Sequence, residues 1–258
     1  MKQRILFASD LDQTLLYSPR HLPAGLEAHC VEYLQDKPQG FFTRRTIALL
    51  GKVAEQTAFV PVTTRSLEQY RRIAWPEGCA PGMALVTNGA ILLDHGEIDE
   101  GWKRESLALA QPHGEELARL HGILAPSAAF LHCRIVDGMF LFASCGDAAS
   151  AKAQAIRCQR LTELPVRVSG RKIYIFLPEL NKGMAVRRLK ERVRPDATWA
   201  AGDSVIDIPM LREADCALVP SSELLEQLQG CNAVCSEEGR LFSEWLLEHV
   251  LEAQLTYL

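Results

Sequence analysis

Asp10 and Asp12 stand two positions apart in Ser9-Asp10-Leu11-Asp12-Gln13-Thr14, directly after an apolar run. Two carboxylates at such a place can attack an electrophile, move protons or ligate a cation. They can equally serve, with Thr14, to satisfy the amides of a turn, and the string alone leaves both readings open. Other segments bear on the choice. Thr63, in Val62-Thr63-Thr64-Arg65, carries a hydroxyl able to donate to a phosphoryl oxygen. Asn181-Lys182-Gly183 sets an ammonium at the start of a helical pattern, where cation and helix N-terminus both favour an anion. Gly202-Asp203-Ser204-Val205-Ile206-Asp207 places two further carboxylates in one loop. Each segment is weak by itself. In this order, each at a strand end or a helix start, they form a specific signal.

The elements that must position these residues follow from the hydrophobic pattern. Arg4 to Ser9 reads as a buried parallel strand whose carboxyl end opens at Asp10. Thr43 is placed to cap a helix through Gln56, with Ile47, Leu50 and Ala54 along one stripe. Ala58 to Val62 is the next buried strand, ending at Thr63, so strand, helix and strand begin an open α/β sheet. Ligands of such sheets bind beyond the carboxyl ends of the strands. From Tyr17 to Phe42 the connection is long and broken by Pro19, Pro23, Pro38 and Gly40, which predicts a functional loop.

After Leu85 the pattern changes. Asn88-Gly89 marks a turn, a polar segment follows, and a helix is expected over Pro112 to Gly122. Phe130 to Val136 and Met139 to Ser144 flank Asp137-Gly138, a two-residue hairpin signal. A helix over Asp147 to Leu161 and a second hairpin, Val166 to Val168 with Lys172 to Leu177, complete a mainly antiparallel sheet backed by helices. Residues 85–178 are therefore expected to be an inserted α+β cap domain, with 1–84 and 179–258 forming the core. Parallel strands resume at Thr198 to Ala201, Cys216 to Val219 and Ala233 to Cys235, and helices are expected over Met184 to Val193 and Leu241 to Leu251.

The 258 residues suffice to bury a real core, and 48% hydrophobic content, 23% charged content and a net charge of -4 favour no nucleic-acid partner. The arginines and lysine of 184–193 read as a solvated helix face. No apolar run reaches membrane-spanning length, and Ile5 to Ala8 is too short for a signal-peptide core. The eight cysteines show no CxxC pair, and Cys231 and Cys235 lack a zinc partner set. Reduced thiols in a cytoplasmic protein are the expectation.

The four segments together resemble the motifs of the haloacid dehalogenase superfamily: an aspartate pair with threonine, a strand-end threonine or serine, a lysine and an acidic loop. Val62-Thr63-Thr64-Arg65, Thr87-Asn88-Gly89-Ala90, Asn181-Lys182-Gly183 and Gly202-Asp203 through Asp207-Ile208-Pro209-Met210-Leu211 look closest to its Cof-type and sucrose-phosphate-phosphatase-like branch. That branch carries an α/β cap between the second and third motifs, the interval in which the insert falls. The resemblance implies a Rossmann-like three-layer α/β core and a small phosphate monoester, such as a sugar phosphate, as substrate. It implies Asp10 as the nucleophile, Asp12 as acid and base, and Thr63 and Lys182 as phosphoryl holders. Thr64, Arg65 and Asn88 fall beside the substrate. Mg²⁺ would lie among Asp10, the Asp12 carbonyl, Asp203 and Asp207. Crowding of the four carboxylates independently calls for a cation, and hard oxygen ligands suit Mg²⁺. Three positions depart from the pattern: Gln13 and Thr64 replace glycine, and Ile206 replaces an asparagine, which bears on how Asp203 and Asp207 are oriented. A phosphomutase and a non-catalytic phosphate-binding module are the competing readings.

Overall fold

The computed structural model describes residues 4–256. Strand β1 (Ile5–Ser9) is buried throughout. Ile5 and Phe7 pack into one hydrophobic cluster, and Leu6 and Ala8 into another on the opposite face. This two-sided burial explains why the run is apolar without alternation. Residues 17–42 differ from the expected loop, because most of them form a hairpin of β2 (Ala28–Leu34) and β3 (Lys37–Thr43). Pro38 is tolerated at the edge of a two-stranded ribbon. The turn takes positive φ at Gln35 and Asp36 (49° and 58°) without the glycine that would have signalled it.

Helix α1 (Arg44–Gln56) begins where expected, with the Thr43 hydroxyl accepting from the Thr46 amide at 3.0 Å. It buries Thr46, Leu50 and Val53, so the inward stripe is turned slightly from the one predicted through Ala54. Strand β4 (Ala58–Pro61) leads to the short helix α2 (Leu67–Arg71), which Ser66 and Gln69 close with a reciprocal capping box. Strands β5 (Met83–Val86), β6 (Ile91–Asp94) and β7 (Glu97–Ile98) form a small antiparallel sheet, joined to the core by a parallel bridge from Val62 to Leu85.

The polar segment after β7 holds a helix, α3 (Glu100–Ala110), followed by a single tight turn and α4 (Gly114–Leu124). Its buried positions are Trp102, Ser106 and Ala110, too weakly apolar a stripe to be read from sequence. Strands β8 (His132–Val136) and β9 (Phe140–Ser144) pair antiparallel around Asp137 and Gly138, both at positive φ (48° and 76°), as the turn signal requires. Helix α5 (Ala148–Gln159) and strands β10 (Val166–Ser169) and β11 (Lys172–Ile175) complete an antiparallel sheet in the order β10-β11-β9-β8.

The chain then returns to the first sheet through α6 (Lys182–Val193), β12 (Ala197–Ala201), α7 (Ile208–Leu211), β13 (Cys216–Val219), α8 (Ser222–Glu226), β14 (Ala233–Cys235) and α9 (Phe242–Thr256). The five parallel strands run β14-β13-β12-β1-β4, so β1 and β12 lie side by side at the centre and end together at Ser9 and Ala201. On α6, Arg187 pairs with Glu213, Arg188 with Glu105 and Arg192 with Asp99, and Lys190 donates to the Glu213 carbonyl, so these four basic side chains are engaged with protein partners. All eight cysteines are free. Among the described residues no helix is long and apolar enough to cross a membrane.

Candidate active site

Asp10 follows β1 and Asp203 follows β12, so the central strands of the sheet deliver both carboxylates to one edge. Asp207 arrives on the loop between β12 and α7. Carboxylate oxygens of Asp10, Asp203 and Asp207 lie within 4.8 Å of one another. Lys182, at the first turn of α6, sends its ammonium between two of them, 2.5 Å from Asp10 Oδ1 and 2.5 Å from Asp207 Oδ1. The Thr14 hydroxyl reaches Asp10 at 3.5 Å and Asp203 at 3.4 Å. Close backbone approach makes this convergence possible. A Cβ at Gly183 would stand 2.4 Å from the Pro209 carbonyl oxygen, and one at Gly202 would stand 2.4 Å from the Asp207 Cβ.

Ile206 does not disturb the acidic loop. The Asp207 carboxylate accepts from the Ser204 amide and hydroxyl at 3.0 and 2.9 Å, a fixing role that sequence reasoning missed. The Ile206 side chain instead packs into the hydrophobic cluster of the cap. Gln13 takes φ 67°, the left-handed region that accounts for glycine at this place in the resembling family.

Asp12 has a different partner. Arg65 grips it in a two-pronged pair, Nε to Oδ2 at 2.9 Å and Nη2 to Oδ1 at 2.8 Å. The third arm of the guanidinium reaches Glu32 at 2.8 Å, and Glu32 also accepts from Arg72 at 3.1 Å. Glu32 is 2% exposed and went unrecognised because it lies on the unread hairpin. The available signal was a single charge inside Val31-Glu32-Tyr33-Leu34, a run otherwise apolar. Thr63 is buried after β4, its hydroxyl accepting from the Arg65 amide at 3.2 Å. Asn88 supplies a turn at φ 59° and also bridges the site's supports. Its amide donates to the Thr63 carbonyl, and its Nδ2 donates to the Leu180 carbonyl at 3.1 Å, just before Lys182. The Asn88 Oδ1 is buried without a hydrogen-bond partner. Thr64 faces the phenol of Tyr174 on the cap.

The charges are set apart by these partners. Burial, together with Asp207 and Asp12 as like charges, pushes the Asp10 carboxyl up to about 7 against the pull of Lys182. Asp203 is raised well above the usual range by burial and then by Asp10 and Asp207. Burial works to raise Asp12 also, but the charge and hydrogen bonds of Arg65 outweigh it and hold the carboxyl at about 2. Burial acts to lower Lys182, yet Asp10 and Asp207 keep it firmly protonated. Three crowded carboxylates, all hard oxygen donors, with Asp10 and Asp203 raised by burial and by neighbouring carboxylates, fit a divalent cation such as Mg²⁺.

Two open concavities of about 320 and 310 Å³ lie elsewhere, one lined by Arg4, Glu55 and Pro195, the other by Ala54, Gly82 and His95. Neither touches the aspartate cluster.

No family model and no curated protein matches the chain. Solved structures do resemble it over nearly its whole length. The sucrose-phosphatase of Synechocystis, solved with sucrose and phosphate, is 17% identical, with a TM-score of 0.65 over 98% of both chains. A haloacid dehalogenase-like hydrolase from B. subtilis is 17% identical, with a TM-score of 0.60 over 97% of this chain and 99% of that one. A trehalose-6-phosphate phosphatase related protein is 14% identical, with a TM-score of 0.58 over 98% and 100%. At these identities the likeness is one of fold: the chain shares with these proteins a parallel core with an inserted antiparallel cap.

Proposed function

We propose that this protein is a Mg²⁺-dependent phosphatase that hydrolyses a small phosphate monoester, a sugar phosphate being the leading candidate, through an aspartyl-phosphate on Asp10. The observation that carries the reading is the meeting of Asp10, Asp203 and Asp207 within 4.8 Å, with the Lys182 ammonium between Asp10 and Asp207. Asp10, Asp203, Asp207 and the Asp12 backbone carbonyl would hold Mg²⁺, which when bound offsets their charge and that of the phosphate.

An Asp10 oxygen attacks phosphorus while the bond to the leaving alcohol breaks, and Asp12 supplies the alcohol's proton. Water then attacks the aspartyl-phosphate, Asp12 takes its proton, and phosphate departs with Asp10 restored. Held low by Arg65, the Asp12 carboxyl is ionised and therefore ready for the second step. For the first, the incoming phosphate dianion is a like charge beside it and lifts its carboxyl toward protonation. Lys182 and Thr63 hold the phosphoryl oxygens where charge develops. Arg65 keeps Asp12 facing the reaction, and Asn88 braces the strand end that carries Thr63. The cap covers the site and excludes water from the bound ester.

The test is phosphate release from a panel of sugar, polyol and nucleotide phosphates with and without Mg²⁺. Metal-dependent release that disappears in Asp10→Asn is expected, and unchanged release in that variant refutes the assignment. Little net phosphate but isomerised sugar phosphate, stimulated by a sugar bisphosphate, would instead identify a mutase.

A further inference from the structure

The cap sheet has two unlike faces. Register fixes which residues share a side, since directly paired residues of antiparallel strands project together. Val166 pairs with Ile175, Ile173 with Ala143 and Ala143 with Cys133, and this side belongs to the cap's hydrophobic cluster with α4 and α5. The other side carries Arg167 opposite Tyr174, Tyr174 opposite Phe142 and Phe142 opposite Arg134. The adjacent row brings Lys172 opposite both Ser169 and Ser144. Three cations and two aromatic rings thus share a face on which none of these paired positions is an aspartate or glutamate. Among the described residues no carboxylate forms an ion pair with Lys172, Arg134 or Arg167.

This face looks at the candidate active site. The tip of the β8–β9 hairpin is tied to the core, because Asp137 Oδ2 accepts from the Thr87 hydroxyl at 2.5 Å and from the Leu67 amide at 3.3 Å. Tyr174 meets Thr64, next to Thr63. Lys172 is an exposed residue of this face, and its ammonium is close enough to Asp12 and Asp10 for each, after Tyr174, to favour its protonated form. Arg134 has a defined neighbour, its guanidinium 5.8 Å from the centre of the half-buried Phe142 ring, which packs edge-on against Tyr174 at 5.5 Å. An ester whose phosphate is held by Lys182 and Thr63 must project its leaving alcohol from the core edge toward this face.

We propose that the preferred ester carries a second anionic group on its leaving alcohol, a carboxylate or another phosphate, and that Lys172 binds it. Lys172 is then a specificity-determining residue. Substrates with an uncharged alcohol leave its ammonium unpaired against the bound ester, whereas an acid or bisphosphate satisfies it with a charge-assisted hydrogen bond. The inference rests on the phosphatase reading for the position of the phosphate.

The test compares matched probes. Glycerol 3-phosphate and 3-phosphoglycerate differ in a hydroxymethyl against a carboxylate, and fructose 6-phosphate and fructose 1,6-bisphosphate differ in a second phosphate. In the wild-type protein with Mg²⁺, kcat/KM is expected to favour the anionic member of at least one pair, and which pair responds identifies the group. In Lys172→Met that preference falls by about 10- to 100-fold, the equivalent of one charge-assisted hydrogen bond, and Lys172→Arg recovers most of it. An equal drop for both members of each pair would mean that Lys172 only attracts phosphate, and would overturn the proposal. So would a preference unchanged by Lys172→Met. Calorimetric binding of the same probes to the Asp10→Asn variant separates this outcome from failure of the phosphatase reading. Lys172-dependent binding of the anionic probe without turnover in wild type would uphold the site and reject the reaction. Turnover without Lys172-dependent discrimination would do the reverse.

Discussion

Replacing Glu32 with glutamine perturbs the proposed acid–base residue without touching it. Glu32 is 2% exposed and accepts from Arg65 and Arg72 at 2.8 and 3.1 Å, while Arg65 alone reaches Asp12, with contacts of 2.8 and 2.9 Å. Glutamine keeps the shape but presents an amide donor to one of the two guanidinium groups, so one charged hydrogen bond is lost and positive charge is left over. Such a bond contributes about 1.5 to 3 kcal/mol, and a loss of stability of that order should appear in urea denaturation. Freed from Glu32, Arg65 relaxes and carries the Asp12 carboxylate with it. General acid catalysis is worth roughly 10²- to 10⁴-fold, and a misplacement of about 1 Å can forfeit ~10²-fold. An alkyl ester such as glycerol 3-phosphate needs the proton, whereas p-nitrophenyl phosphate releases a stabilised phenolate and needs little. The ratio of kcat on the alkyl ester to kcat on the aryl ester should therefore fall by about 10- to 100-fold in Glu32→Gln. If both rates fall by one common factor, Glu32 supports the fold and nothing more, and the positioning argument is wrong.

Other outcomes follow from the same contacts. Arg65→Met removes the pair that depresses Asp12 from 3.8 to about 2; a depressed carboxyl stabilises above its unfolded pKa, so the stability gap between variant and wild type should be full at neutral pH and narrow as pH falls through that interval, read by thermal melts in the absence of metal. Burial and neighbouring carboxylates raise Asp10 to about 7, so Mg²⁺ must displace a proton below that pH, and the rise in Tm caused by saturating Mg²⁺ at pH 8 should shrink markedly at pH 6. Gly183→Ala drives a Cβ to 2.4 Å from the Pro209 carbonyl oxygen; overpacking of this kind costs about 1 to 3 kcal/mol, and equilibrium denaturation should show it together with weakened Mg²⁺ binding.

Much of the architecture was legible because the relevant signals are local. Asp137-Gly138 announced its hairpin through two residues that tolerate positive φ, and the apolar runs at β1, β12, β13 and β14 needed only their continuity. Asp10, Asp12 and Asp203 were recognisable for the same reason, standing just past the end of such a run, and Asp207 by sharing the loop of Asp203. Pairings distant in sequence were not. Nothing near Arg65 in the chain names Glu32 as its partner, since their meeting depends on how the β2–β3 hairpin folds back over the sheet. Helix α3 escaped because Ser106 and Ala110 make a faint stripe, and the orientation of the cap sheet was undecided because alternation alone does not say which face meets a neighbour. Ile206 raised a question that another residue answers: Ser204 fixes Asp207, so the isoleucine was free to pack against the cap.

The central claim is that Asp10 attacks phosphorus, and the most direct measurement is to trap the product of that attack. The protein is mixed with a phosphate-labelled ester and Mg²⁺, quenched in acid within the first turnover, and digested for peptide mapping. The account predicts label on the peptide containing Asp10, lost on treatment with hydroxylamine, and none in Asp10→Asn. Label on another residue, or turnover of the ester with no labelled protein at any time, would contradict it.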